Sequence, residues 1–131
     1  MSNKSVVKEW INFSTMDLMS AKHLYQTMHP IPLEIVCYHC QQSVEKMLKA
    51  MIISINREVP RTHDLGLLLE VALEEEKIPE TIYDACDNLT PFAVKFRYPQ
   101  ELFLEDYHAK NALADAEFVC NWCLDKGLRA F

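Results

Sequence analysis

One stripe constrains the fold more than anything else in the sequence. Val7, Ile11, Ser14, Leu18, Ala21, Tyr25 and Met28 recur at steps of three and four, the spacing of one face of an α-helix. Trp10 and Leu24 widen the stripe, and Lys8, Asn12, Lys22 and Gln26 take the opposite side. A helix over about Ser5–Met28 follows. "HPIP" at 29–32 ends it, because proline disfavours helical geometry in the residue before it.

The pattern repeats along the chain. A second helix is expected over about Pro32–Asn56, with Pro32 suited to the first turn and a stripe of Leu33, Cys37, Cys40, Val44, Met47, Met51 and Ile55. The loop "NREVPRT" leads to a third, about His63–Glu76, with Thr62 placed to cap it. Leu65, Leu68, Leu69 and Ala72 point inward there, and Glu70 and Glu74–Glu76 outward. A fourth begins near Pro79 and is kinked or broken at Pro91; helical character resumes through "FAVKF" and stops at "RYP". The last, about Asp106–Lys126, is closed by Gly127, with a stripe of Ala109, Ala112, Leu113, Ala116, Cys120, Cys123 and Leu124. The chain holds only two glycines, too few for a turn-rich β fold. The fold class is therefore all-α: an up-and-down, antiparallel bundle of four to five helices, spanning 1–131 as one domain. With 131 residues, half of them hydrophobic, the chain can bury roughly two-thirds of its unfolded surface without staples.

Five cysteines include two C-x-x-C pairs, Cys37/Cys40 and Cys120/Cys123, with Cys86 apart. Zinc knuckles place such pairs in tight turns, and both pairs here fall on helical core stripes. Cysteine is a small, commonly buried hydrophobe, so the pairs read as packing, with no metal and no cofactor expected. No apolar stretch reaches the roughly 18 residues a membrane span needs, and nothing resembles a secretory signal. A soluble, cytoplasmic protein with free thiols is expected. The net charge of −6 argues against general nucleic-acid coating, which depends on neutralising phosphates.

Polar side chains with chemical potential gather in three places. Gln42, Glu45, Lys46 and Lys49 share a face of the second helix, expected either to be solvated or to let Gln41 and Lys46 offer donors to a ligand or partner. Arg57, Arg61 and His63 crowd the loop before the third helix, whose free N–H groups favour phosphate; otherwise Thr62 or Asp64 caps the helix and His63 bonds a backbone carbonyl. Arg97 and Tyr98 sit in "FRYP" at a helix end, where arginine complements the helix dipole or clamps phosphate. Walker A, G-x-G-x-x-G, H-E-x-x-H and G-x-S-x-G patterns do not occur.

Three of these segments together resemble the HEPN domain family: the Q-Q-x-x-E-K-x-L-K run at Gln41, Gln42, Glu45, Lys46, Leu48 and Lys49; the T-H-D-L turn at Thr62–Leu65; and R-Y-P at Arg97–Pro99. Trp10 and "DLMSAKHLY" of the first helix add to the likeness. The resemblance implies an antiparallel helical bundle, commonly a two-fold homodimer, and often a separate minimal nucleotidyltransferase as partner in a toxin–antitoxin-like system. It further implies a module binding a nucleotide or a nucleotide-bearing partner, here through Gln41, Lys46, Arg61, His63, Arg97 and Tyr98. Many relatives are metal-independent ribonucleases with an R-x(4–6)-H motif, so the alternative is RNA cleavage using His63 with Arg57 or Arg97. Arg57 and His63 have the right spacing, but Pro60 stands between them, and ten residues separate Arg97 from His108.

Overall fold

The computed structural model describes residues 3–74, 76–93 and 103–131. Among these the chain forms five α-helices and no strand: α1 Asn3–Thr27, α2 Leu33–Ser54, α3 Leu65–Ala72, α4 Glu80–Leu89 and α5 Asp106–Asp125. Short 3-10 turns follow α4 (Thr90–Ala93) and α5 (Leu128–Ala130).

The all-α bundle is held around α2. Twelve of its 22 residues are buried, because α1, α3 and α5 all pack on it. Cross-links fix the directions. Asn3 reaches Asn56 (2.6 Å) and Ser14 bonds the Ser43 carbonyl (2.6 Å), so α1 and α2 are antiparallel. Tyr25 donates to Asp106 (2.7 Å) and Lys22 pairs with Glu117 (3.2 Å), which sets α5 antiparallel to α1. The loop between α2 and α3 doubles back along α2. It leaves α2 beside Ala72–Glu74 and brings His63 to Gln41 and Glu45.

All five cysteines are free and buried. Cys37, Cys40, Cys120 and Cys123 lie in the core with Val44, Met47 and Ala116. Cys120 also borders a small polar contact where Ser14 and Ser43 bring their hydroxyls 3.2 Å apart, with the Ser43 oxygen 3.5 Å from its sulfur. Burial pushes the thiols up, to about 12 at Cys37 and Cys86, so thiolate chemistry is suppressed at neutral pH. Among the described residues no group of three or more His, Cys, Asp or Glu side chains is arranged to hold a metal, and no helix is long and apolar enough to cross a membrane.

Several boundaries and faces differ from expectation. α3 starts at Leu65, not His63, and Asp64 caps it by accepting from the Leu67 N–H (3.3 Å). Thr62 instead accepts from the Asp64 N–H (3.0 Å). The helix ends at Ala72, short of Glu76; Glu74 turns to Arg57 and Glu76 to Lys126 (3.3 Å). The break at Pro91 takes the form of the 3-10 turn; the expected resumption through "FAVKF" lies largely outside the described residues. Met28 and Ile55, placed on core stripes by spacing, are exposed at the helix ends. Ile52 and Ile53 lie off the core stripe that spacing gives α2, yet Ile52 is fully buried and Ile53 is half-buried against the core; Met16 and Phe103, also off the stripes, are exposed.

Candidate anion-binding site

The centre of the site is a carboxylate on the α2 face that spacing left open to solvent or to a ligand. Glu45 is only 3% exposed. Its α2 position is covered because the doubled-back loop packs over that face. Gln41, one helical turn earlier, is fully buried and donates to Glu45 Oε1 (3.0 Å) and to the His63 carbonyl (3.3 Å). Lys49, one turn later, pairs with Glu45 Oε2 (2.9 Å). His63 brings Nδ1 to Oε1 (2.8 Å). Gln42 donates to the Gln41 side-chain oxygen (2.8 Å). Burial would raise the Glu45 carboxyl, but the hydrogen bonds from Lys49, Gln41 and His63 outweigh it and hold the group below its ordinary value.

This arrangement corrects three expectations. The face carrying Glu45 is not solvated, and Gln41 offers no donor at the surface, because its amide is consumed inside. His63 bonds a carboxylate, not a backbone carbonyl. That bond places a proton on Nδ1 and leaves Nε2 as the free ring nitrogen; the imidazole side chain is 67% exposed.

Above the carboxylate lies a cleft of about 320 Å³ lined by Lys49, Val59, Pro60, Arg61, Thr62 and His63. Arg61 is exposed and makes no ion pair among the described residues. Lys49 also stands 5.7 Å from the centre of the Trp10 ring, a cation–π distance. The cleft is therefore lined by an ammonium, a guanidinium and an imidazole side chain, and the carboxylate beneath it is already paired.

The other residues singled out in the sequence lie elsewhere. Lys46 lines no part of this cleft. It pairs with Asp17 of α1 (2.5 Å), which also takes His39 Nδ1 (2.9 Å). Burial opposes ionisation of Asp17, but hydrogen bonds from His39 and Lys46 keep its carboxyl below the ordinary value. Arg57 pairs with Glu74 and lines a separate depression with Leu73 and Glu76. Arg97 and Tyr98 lie outside the described residues. The Asp17–His39–Lys46 cluster gave no sequence signal beyond Asp17 standing beside Leu18 on the margin of a buried face.

The HEPN domain family model matches residues 7–127. The chain therefore belongs to the HEPN domain family. No curated protein matches it. Two solved structures share the fold: TT1696 from Thermus thermophilus, at TM-score 0.79 and 20% identity over 92% of this chain and 97% of that one; and ST0689, an archaeal HEPN homologue, at TM-score 0.73 and 22% identity over 92% and 96%.

Proposed function

We propose that this HEPN module binds the phosphate of a nucleotide, or of a nucleotide-bearing partner, in the cleft formed by Lys49, Arg61 and His63, and that it works with a separate nucleotidyltransferase. One observation carries the reading: three anion-seeking side chains converge on one cleft of a chain whose net charge is −6. Glu45 holds two of them in place without facing the ligand, and Gln41 acts through Glu45 as a positioning residue. Arg61 is the unspent guanidinium, able to take two phosphate oxygens at once. A homodimer belongs to the same reading, with Phe13, Met16 and Met19 on the open side of α1 as its available apolar surface.

Calorimetry against a panel of nucleoside triphosphates, with and without the transferase, tests the proposal. Saturable binding that weakens about tenfold in Arg61→Ala is expected, the loss of one charge-assisted contact of about 1.4 kcal/mol. Lys110→Ala, on the outer side of α5, should leave binding unchanged. Absence of binding at millimolar ligand in both settings overturns it.

A second reading has its own support. A buried carboxylate on Nδ1 and an exposed Nε2 is how a general-base imidazole is oriented. His63 would then take the proton of an RNA 2′-hydroxyl as that oxygen attacks the adjacent phosphorus. The P–O5′ bond would break and the 5′-oxygen leave as a hydroxyl, taking a proton from solvent, giving a 2′,3′-cyclic end, with Arg61 or Lys49 facing the phosphate where Arg57 does not reach. Incubation with single-stranded RNA and EDTA decides between them: cyclic ends lost in His63→Ala select the enzyme, and intact RNA leaves the binding module.

A further inference from the structure

A second pocket, of about 230 Å³, opens between α4 and α5 and shares no residue with the anion cleft. Its lining is Asn88 of α4, Phe92 of the 3-10 turn, and His108, Asn111, Ala112 and Asp115 of α5. The α5 residues recur at steps of three and four, so they share one helical face. The pocket is smaller than the sites that hold drug-sized ligands, typically at least ~300 Å³, which suits a group the size of one side chain.

Its chemistry is one-sided. Asp115 is the single acidic residue of the lining and forms no ion pair among the described residues. Its only hydrogen bond there comes from Asn88 Nδ2 at 3.4 Å, the long limit for such a contact. Desolvation raises its carboxyl above the ordinary value, and the Asn88 bond offsets only part of this. The Asn88 and Asn111 side chains add amide oxygens. His108 accepts the Glu105 backbone N–H on Nδ1 (2.9 Å), so this nitrogen is spent. Phe92 supplies an aromatic ring. Among the described residues the site therefore has one underpaired, half-buried carboxylate, neutral acceptors, an aromatic surface and no lining lysine or arginine.

We propose that this pocket binds an alkyl guanidinium group, from an arginine side chain of a partner protein or from a free arginine-like small molecule. A planar guanidinium offers two parallel N–H donors to one carboxylate, with further donors for amide oxygens. It stacks on an aromatic ring and is more weakly hydrated than an ammonium, so it enters a half-dry site at lower cost. Inorganic divalent cations fit less well, since one carboxylate with neutral amides falls short of the oxygen set they take.

Titration of the ¹⁵N-labelled full chain, followed by NMR, tests the assignment. The probes are agmatine, a capped Gly-Arg-Gly peptide, its Gly-Lys-Gly counterpart and cadaverine. Saturable shifts centred on Asn88, Asn111 and Asp115 are expected with both guanidinium probes, with the ammonium probes at least about tenfold weaker. Asp115→Asn should weaken guanidinium binding by at least about tenfold, and Phe92→Leu by a few-fold, both with unchanged circular dichroism. Arg peptide above agmatine marks a partner protein as the source; agmatine equal or above marks a free small molecule. Equal binding of ammonium and guanidinium, shifts centred elsewhere, or an unaffected Asp115→Asn overturns the proposal. A null result here leaves the phosphate reading untouched.

Discussion

Glu45 and Asp115 are both carboxylates on long helices of one bundle, yet their surroundings push them in opposite directions. Glu45 is the more deeply buried, and its pKa falls; Asp115 is less buried, and its pKa rises. Depth therefore does not decide the sign. Glu45 meets three donors, two from its own helix at i−4 and i+4 and one delivered by the doubled-back loop. Asp115 meets one long amide contact. A carboxylate with its donors in place acts as a fixed internal strut. One without them is an open valence, and the two sites are proposed to differ in function for this reason: the Glu45 cluster organises cations, and Asp115 waits for one.

Removing the strut gives the largest effect. In Glu45→Ala, Gln41 is left buried without its acceptor, and Lys49 and His63 lose the charge that orders them. Leaving such groups unpaired costs about 2–3 kcal/mol, read as a lower urea midpoint at constant m-value. An unchanged midpoint would mean that Glu45 is no more than a solvated surface acid, as its helical spacing alone suggests.

The next effect is on acid stability, and it separates the two regions by sign. Glu45 and Asp17 have folded pKa values below their ordinary 4.5 and 3.8. Their contribution is present above those values and is lost as the pH falls through the lower folded values. Stability should therefore fall below about pH 4.5, the ordinary Glu45 value. Asp17→Asn should flatten that acid limb and lower neutral-pH stability by about 1 kcal/mol, a partly solvated pair being worth little more. Chemical denaturation across pH 3–7 measures both. An acid limb identical in wild type and variant would remove Asp17 from the set of struts.

The contrast explains how much was readable in the sequence. The five helices and most core stripes follow from spacing, because burying an apolar face is a local pattern with a fixed period. The cysteines obeyed the same rule. Glu45 did not, since its face is covered by a loop whose path is set by contacts 18 residues away in the chain, from Glu45 to His63. Ile52 failed for a related reason: a helix packed on several sides has no outer face to read. A usable hint was present in Gln41, Glu45 and Lys49, spaced i, i+4, i+8 beside the core residues Val44 and Leu48. Three polar groups stacked along a line that borders a core stripe fit an internal ladder as well as a wet surface. His63 and Arg61 were legible as cleft residues because the loop's basic character is local. Lys46, expected to offer a donor from α2, instead pairs with Asp17, because that partner lies on another helix and leaves no trace in spacing.

The smallest effect tests the open valence itself. A carboxyl whose folded pKa is raised is a liability when ionised: its contribution is fully present below the unfolded value, ordinarily 3.8 for Asp115, and is lost as the pH rises through the folded one. Asp115→Asn should therefore leave neutral-pH stability unchanged or raise it slightly. Solvent screening of this half-exposed group limits the gain to at most about 0.5 kcal/mol, or roughly 1–3 °C in Tm. The difference between variant and wild type should vanish below about pH 3.8, the ordinary Asp115 value, where both side chains are neutral. Thermal scans at neutral and acid pH measure it. A destabilised variant at neutral pH would mean that the Asp115 charge is already matched within the fold, which would make Asp115 a strut like Glu45 and close the pocket to a cation from outside.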